Sequence, residues 1–277
     1  VLFSGDENGQ AVVFLHGNLS SATFFEELML ALPAGLRGIA PDQRGYGDAE
    51  RDKKIDATRG MRDFADDAIA LLDTLELDKV HLVGHSLGGA IVWQLLMDQP
   101  QRFLTVTQIA PGSPYGFGGT RDNDGTPTYD DWAGSGAGLV NQTFAQLLAK
   151  GDRTADTPLF SPRIVMKRMW KQPFTPPREE DILSSMLSTH CSEQGYPGDF
   201  VKSSNWPFLA PGVWGPNNAI SPKYAADIRK LYTIEPKPPI LWIRGSDDLT
   251  VSDRSLTDMG TLGQMGLIPG YPGETQY

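Results

Sequence analysis

Short apolar runs and amphipathic stretches alternate along the chain. The stretch from about residue 62 to residue 75 places Phe64, Ala68 and Leu72 on one side of a helix. A second predicted helix covers residues 88–97, and Pro100 prevents its continuation. Strand-like runs occur at residues 11–15, 36–40, 80–83, 104–110 and 240–243, and the near-continuous apolar run at 11–15 is expected of a strand buried on both faces. This alternation is typical of a mostly parallel, doubly wound α/β sheet with helices on both faces.

An early helix is predicted directly after the first apolar run. Thr23 and Glu26 have the spacing of a capping box, in which two side chains bond the free N–H groups of the first turn. We expect this helix to open at the capping box and to continue to about Leu32.

The composition of the chain changes after Pro111. Residues 111–222 are rich in Gly and Pro, and they contain two helix-compatible pieces, 142–148 and 179–187. We interpret residues 112–235 as a mainly helical cap inserted into a core formed by 1–111 and 236–277. The tail 260–277 is predicted to be a long loop. Four of the six tryptophans lie in the cap: Trp132, Trp170, Trp206 and Trp214.

The strongest local motif is Gly84-His85-Ser86-Leu87-Gly88, a G-x-S-x-G between a predicted strand and a predicted helix. A serine on such a tight turn is lifted clear of the sheet, so its hydroxyl is exposed as a candidate nucleophile. The start of the following helix offers unpaired N–H groups and a positive dipole end, which suit an oxyanion.

A second motif, His16-Gly17-Asn18, follows the first predicted strand. An oxyanion hole needs two N–H donors, one from the residue after the nucleophile and one from a neighbouring loop. Leu87 is the candidate for the first donor and Asn18 for the second. We interpret His16 as a structural residue that ties down the turn.

A third motif, Gly245-Ser246-Asp247-Asp248, follows the last predicted strand. A carboxylate at the carboxyl end of a strand can hold a histidine in the right tautomer and stabilise its imidazolium. Asp248 fits this role better than Asp247, which remains the alternative. Asp247 is better interpreted as a turn residue whose side chain hydrogen-bonds to the nearby backbone.

Together, HGN at 16–18, DQRGYG at 42–47, GHSLGG at 84–89 and RGSDD at 244–248 resemble the α/β-hydrolase superfamily. The resemblance implies a catalytic triad and nucleophile elbow in which Ser86 is the nucleophile and Asp248 the acid. It also implies an oxyanion hole formed by the Asn18 and Leu87 amides. Haloalkane dehalogenases and epoxide hydrolases usually have aspartate at the nucleophile position, so Ser86 argues against both.

One departure from the superfamily pattern concerns the general base. The superfamily order is serine, acid, histidine, whereas no histidine follows Asp248. Of the four histidines, His81 lies inside a predicted strand, His85 is fixed in the elbow, and His190 in the cap would require a rearranged triad. The final strand and helix of the superfamily are also missing from the sequence. We expect the base to lie beyond Tyr277.

The net charge and the cysteine content argue against several kinds of binding partner. The 24 basic and 34 acidic residues give a net charge of −10, which argues against binding nucleic acid or an anionic membrane. The single cysteine, Cys191, excludes an internal disulfide and a zinc site built on several thiolates. No apolar run is long enough to cross a bilayer. We expect a cytoplasmic monomer or homodimer without metal or other cofactor.

These features predict a serine hydrolase that cleaves a small-molecule carboxylic ester or lactone with an apolar portion through an acyl-enzyme. Two other enzyme classes in the superfamily use the same set of catalytic residues and remain alternatives: C–C bond hydrolases, and cofactor-free perhydrolases or haloperoxidases. A hypothesis of another class is a ligand-binding pseudo-hydrolase that lacks the triad histidine.

Overall fold

A six-stranded sheet forms the centre of the computed structural model, which describes residues 1–277. The strand order is β1-β3-β2-β4-β5-β10, and every neighbouring pair is parallel except β1 with β3. The six strands are β1 (Leu2–Gly5), β2 (Gln10–Leu15), β3 (Leu36–Ala40), β4 (Val80–His85), β5 (Phe103–Ile109) and β10 (Ile240–Ile243). The mostly parallel sheet predicted from the apolar runs is confirmed, and β1 is an additional edge strand.

Helices cover the two faces of this sheet, which is why β2 is apolar at successive positions. Ala11, Val13 and Leu15 point to the larger core, which includes residues of α2 (Arg62–Thr74) and α3 (Leu87–Asp98). Val12 and Phe14 point to a smaller core on the opposite face, where Phe25 and Met29 pack. Met29 belongs to α1 (Glu26–Leu30).

The strand register brings the segments of interest to one edge of the sheet. Leu15 of β2 is level with Gly84 of β4, and His85 of β4 is level with Ile109 of β5. Ile109 is in turn level with Ile243 of β10. The residues that follow β2, β4 and β10 therefore share the carboxyl edge, where ligands bind in open α/β sheets.

The inserted region contains short helices and small ribbons. Phe144, Leu148, Met166, Leu183 and Met186 form the centre of its own apolar cluster. Its elements are α4 (Gln142–Ala149), α5 (Pro162–Arg168), α6 (Glu179–Leu187), β6 (Cys191–Ser192), β7 (Tyr196–Pro197), β8 (Phe200–Lys202), β9 (Leu209–Pro211), α7 (Pro216–Ala219) and α8 (Lys230–Thr233).

The end of the inserted region packs with the main core. Ala219 is a buried member of the larger core, and Tyr224, Leu231 and Ile234 pack against it. The boundary at residue 235 between cap and core remains a prediction.

Strand β10 differs from the other parallel strands in its exposure. It pairs with β5 on one side only, and Ile240, Leu241, Trp242 and Ile243 are 45–57% exposed. These residues point alternately to the two faces, so apolar side chains face solvent on both sides of this edge. The apolar run at 240–243 thus forms a strand without the burial that such runs usually have.

Two local predictions are wrong. The predicted capping box does not form, because a 3-10 turn at Ala22–Phe25 precedes α1 and no side chain caps either element. The helix also ends at Leu30, short of Leu32. The tail predicted as a loop contains α9 (Met259–Gln264), whose first turn is capped by the Asp258 carboxylate accepting from the Thr261 N–H. None of the helices combines the length and apolar character needed to span a membrane.

Candidate active site

Ser86 occupies a sharp turn between β4 and α3. Its φ of 52° and ψ of −113° lie in a region that residues with a side chain rarely adopt. The Ser86 N–H donates to the Ile109 carbonyl over 3.1 Å, and the Ser86 carbonyl accepts from the Gly112 N–H over 3.0 Å. The backbone of the turn is therefore fixed by β5 and the segment after it, and the side chain is only partly buried.

Close backbone approach around the turn depends on glycine. A Cβ on Gly88 would lie 2.0 Å from the Leu15 carbonyl oxygen, so the start of α3 can contact the end of β2 only without a side chain there. A Cβ on Gly17 would lie 2.8 Å from His85 Nδ1 and 3.0 Å from Ser86 Cβ. These contacts bring the loop after β2 against the serine.

The two predicted oxyanion donors lie on either side of this contact. Leu87 is the first residue of α3, where the N–H has no acceptor within the helix. Asn18 directly follows Gly17, and its N–H makes no hydrogen bond within the chain. The structure thus leaves two backbone N–H groups unpaired on the segments next to Ser86.

The Asn18 side chain is engaged in holding its loop. Its Oδ1 accepts from the Tyr46 hydroxyl over 2.5 Å and from the Leu19 N–H over 3.2 Å. Its Nδ2 donates to Asn217 Oδ1 over 3.0 Å. Tyr46 is completely buried, and burial raises the pKa of its phenol well above the usual value, so the hydroxyl remains a donor. Tyr46 lies within the DQRGYG motif, but no local pattern in the sequence predicts its contact with Asn18.

The two candidate acids have different surroundings. Asp248 Oδ1 accepts from the N–H groups of Thr250 and Val251 over 2.8 and 2.9 Å, which fixes the carboxylate in its turn. Asp247 is exposed, and its carboxylate lies 2.6 Å from the Lys171 ammonium, which lowers the pKa of Asp247. Ser86 follows β4 and Asp248 lies on the loop after β10, and β5 is the one strand between β4 and β10 in the sheet.

His85 is packed rather than free to move. Its ring stacks on Phe24 with centroids 4.7 Å apart, and its Nδ1 is buried without a hydrogen-bond partner. Burial lowers the pKa of His85 to about 4, against an opposing effect of the Asp248 charge. The imidazole is therefore neutral near pH 7.

The other three histidines have backbone or hydroxyl partners. His16 is completely buried, with Nε2 accepting from the Gln43 N–H and Nδ1 donating to the Gly17 carbonyl. Burial lowers the pKa of His16 to about 4. His190 Nε2 lies 3.0 Å from the Gly47 carbonyl, and His81 Nδ1 lies 2.8 Å from Thr105 Oγ1. None of the four histidines hydrogen-bonds with Ser86 or Asp248.

The inserted region contacts both sides of this site. Trp170 stacks on Phe24 with centroids 6.3 Å apart and an interplanar angle of 22°. The salt bridge from Lys171 reaches Asp247 on the loop after β10. Arg178 pairs with Glu26 at the start of α1. Sequence reasoning identified the cap tryptophans but not these partners, because no local pattern links positions so far apart.

Outside the Ser86 site, neither the cysteine nor the surface depressions form a second reactive centre. Burial raises the pKa of the Cys191 thiol to about 11, so it stays protonated. A shallow depression of about 450 Å³ is lined by Cys191 together with residues of α4, and a smaller one of about 240 Å³ lies beside α2. No three His, Cys, Asp or Glu side chains come together as a candidate metal site.

The arrangement supplies several parts of a nucleophilic site. The Ser86 hydroxyl lies on a strained turn, and the segments next to it carry two unpaired backbone N–H groups. The carboxylate of Asp248 is fixed in the loop after β10, the second strand from β4 in the sheet. Parts of this kind suit acyl transfer, in which negative charge develops on a carbonyl oxygen.

Comparison with known proteins finds relatives that are named as hydrolases of more than one kind. A 38% identical match over 106 residues is a putative carbamate hydrolase from Variovorax paradoxus, covering 38% of this chain and 39% of that protein. Epoxide hydrolase B from Mycobacterium tuberculosis is 32% identical over 123 residues, covering 40% of this chain and 34% of that protein. These matches therefore span well under half the length of the curated relatives.

A solved structure gives the same fold at low identity. The 2-hydroxy-6-oxo-6-phenylhexa-2,4-dienoate hydrolase from Rhodococcus sp. strain RHA1 matches with a TM-score of 0.51 and 19% identity. The match covers 88% of this chain and 76% of that one. The family model described as alpha/beta hydrolase fold matches residues 10–270, nearly the whole chain. The chain therefore belongs to the alpha/beta hydrolase fold family.

Proposed function

We propose that this protein is a serine hydrolase that cleaves a carboxylic ester or lactone with an apolar portion. The observation that carries the proposal is the Ser86 turn, with its positive φ and its position between the unpaired N–H groups of Asn18 and Leu87. A strained residue of this kind persists only where surrounding structure holds it, and such residues cluster at active sites.

The proposed reaction has two steps. The Ser86 hydroxyl attacks the ester carbonyl, and the Leu87 and Asn18 N–H groups stabilise the oxyanion of the tetrahedral intermediate. The alcohol leaves with a proton, and the acyl group stays on Ser86 Oγ. Water then attacks this acyl-enzyme, releases the carboxylic acid and returns the proton to Ser86.

The carboxylate of Asp248 would orient the general base. Asp248 is the better acid of the two, because the Thr250 and Val251 N–H groups hold its carboxylate while Asp247 is paired with Lys171. Both residues follow strands at the carboxyl edge of the sheet, and an imidazole between their two loops would hydrogen-bond to both. None of the four histidines in this sequence hydrogen-bonds to Ser86 or Asp248.

The relatives named as epoxide hydrolases suggest another reaction, which the nucleophile disfavours. A carboxylate that opens an epoxide forms an ester, and water can hydrolyse that ester. A serine hydroxyl would form an ether, which gives water no carbonyl to attack. Ser86 therefore favours acyl transfer over epoxide opening.

A carbamate is a second candidate substrate, because the 38% identical relative is named a putative carbamate hydrolase. A carbamate carbonyl can be attacked by the same hydroxyl and stabilised by the same N–H groups. Its transfer to Ser86 would leave a carbamoyl group in place of an acyl group.

A panel of esters, lactones and carbamates tests the proposal, with S86A as the control. We expect ester hydrolysis with a burst of alcohol and a mass increase that equals the acyl group on the Ser86 peptide. Equal hydrolysis by the wild-type protein and S86A would contradict the proposal. Hydrolysis of carbamates but not of esters or lactones would replace the first candidate with the second.

A further inference from the structure

Two consecutive cap residues contact the immediate neighbours of both proposed reactive residues. Trp170 stacks on Phe24, and Phe24 stacks on His85, which directly precedes Ser86. Lys171 forms its ion pair with Asp247, which directly precedes Asp248. The segment that carries these two cap residues therefore extends over the site from the nucleophile side to the acid side.

The nucleophile side of this contact is aromatic. The Phe24 and His85 rings are stacked at an angle of 14°, and Trp170 and Phe24 at 22°. Phe174 lies against Trp170 with centroids 5.8 Å apart. A wall of this composition favours ring-shaped apolar groups, because aromatic pairs gain about 0.5–1.5 kcal/mol beyond the effect of area burial.

The wall also contains an unused hydrogen-bond donor. Trp170 Nε1 is buried and has no acceptor within the chain. Buried polar groups are nearly always paired, so an orphaned donor next to a candidate site requires an explanation. An acceptor atom on a bound molecule would supply the missing partner.

From these contacts, and resting on the proposed function, we propose that Trp170 is a specificity-determining residue that selects aryl-bearing esters. The 6.3 Å between the Trp170 and Phe24 centroids is less than the roughly 7 Å that an intercalated ring needs at normal carbon contact distances. The aryl group of the substrate therefore packs across the side of the stack. An acceptor on that aryl group receives the Trp170 N–H.

The test compares esters that differ only in the ring. Phenylacetyl and cyclohexylacetyl esters of one alcohol form the first pair, and benzyl and cyclohexylmethyl acetates form the second. Wild type, W170L and W170F are compared, with W214F as a matched control, because Trp214 is a cap tryptophan whose ring lies over the Lys54 ammonium. Circular dichroism and urea unfolding establish that each variant is folded.

We expect wild type and W214F to prefer the phenyl member of at least one pair by about threefold to tenfold in kcat/KM. W170L should bring this ratio to about one, while activity on the cyclohexyl member changes less than twofold. W170F, which keeps an aromatic ring at this position, should keep the phenyl preference. A phenyl preference that W170L leaves unchanged, or no phenyl preference in either pair, would overturn the proposal.

A binding measurement separates this inference from the proposed function. Phenylacetamide and cyclohexylacetamide are neutral and resist cleavage, so their affinities can be measured on wild type and S86A without turnover. Tighter binding of phenylacetamide that W170L abolishes supports the inference even if no ester is hydrolysed. Equal binding of the two amides by wild type and W170L overturns it even if esters are hydrolysed.

Discussion

The Tyr46 hydroxyl donates a 2.5 Å hydrogen bond to Asn18 Oδ1 and so ties the loop after β2 to the loop after β3. The same oxygen accepts from the Leu19 N–H, and Leu19 has a φ of 56°. Tyr46 therefore stabilises the turn that presents the Asn18 N–H beside Ser86. Because this hydrogen bond holds the loop that carries Asn18, Tyr46 is a positioning residue for the proposed oxyanion hole.

Replacing Tyr46 with phenylalanine tests this role. Y46F should lower the free energy of unfolding by about 1 kcal/mol, the usual contribution of one hydrogen bond. It should lower kcat for an ester while KM stays nearly constant, because the oxyanion forms only after attack. Y196F is the control, since Tyr196 is also a buried tyrosine and its hydroxyl makes no hydrogen bond to Asn18. Equal kinetic effects of Y46F and Y196F would contradict a role for Tyr46 through Asn18.

Gly17 and Gly112 form a matched pair for the close packing around Ser86. The Cβ of G17A would lie 3.0 Å from Ser86 Cβ, whereas the Cβ of G112A would lie 3.4 Å from Ala90 Cβ, an ordinary contact. We expect G17A to slow the reaction of Ser86 with a fluorophosphonate at least tenfold and G112A to change it less than twofold. Similar rates for both variants would show that close approach at Gly17 is not required.

The two adjacent aspartates differ in expected importance. D248N should lower ester hydrolysis by about tenfold or more, because the Asp248 carboxylate is the group proposed to orient the base. D247N removes only an exposed ion pair with Lys171, which contributes at most about 1 kcal/mol, so its activity should stay within about threefold of wild type. Steady-state kinetics on one ester distinguish them. A larger loss in D247N would make Asp247 the acid.

The buried histidines predict how stability depends on pH. Burial holds the pKa values of His16 and His85 near 4, below the 6.5 of an unfolded chain. The unfolded state therefore takes up protons first as the pH falls. The stability is fully present above about pH 6.5 and is lost between 6.5 and 4, up to roughly 3 kcal/mol for each histidine.

Urea unfolding between about pH 7 and pH 5 measures this effect, because most carboxylates titrate below that range. H85Q removes one of the two histidines whose pKa is lowered and should reduce the slope of stability against pH by about half. A wild-type protein with constant stability across this range would contradict the assignment of both histidines as buried and neutral.

Most of the sheet could be predicted because strand-like runs alternate with amphipathic helices along the chain. Runs such as the one in β2 need helices on each side, and the glycine-serine turn after β4 predicts the position of Ser86. β1 escaped prediction because it is an edge strand of four residues with alternating exposure. The capping box failed because the backbone at Thr23 forms a 3-10 turn, in which the required cap geometry is absent.

The contacts that complete the site could not be predicted from local patterns. Asn18 hydrogen-bonds to Asn217, 199 residues later in the chain, and Trp170 stacks on Phe24 from the middle of the inserted region. Such pairs depend on how the cap lies on the core. The sequence contains the residue types for these contacts, but no periodicity or spacing identifies which residues meet.

Labelling by a fluorophosphonate, followed by mass spectrometry of the peptides, is the most direct test of the role of Ser86. The reagent bonds covalently to an activated serine hydroxyl, so the adduct identifies the nucleophile without knowledge of the substrate. We expect one adduct on the peptide that contains Ser86, and no adduct in folded S86A. An adduct on a different serine, or no adduct in folded wild-type protein, would contradict Ser86 as the nucleophile.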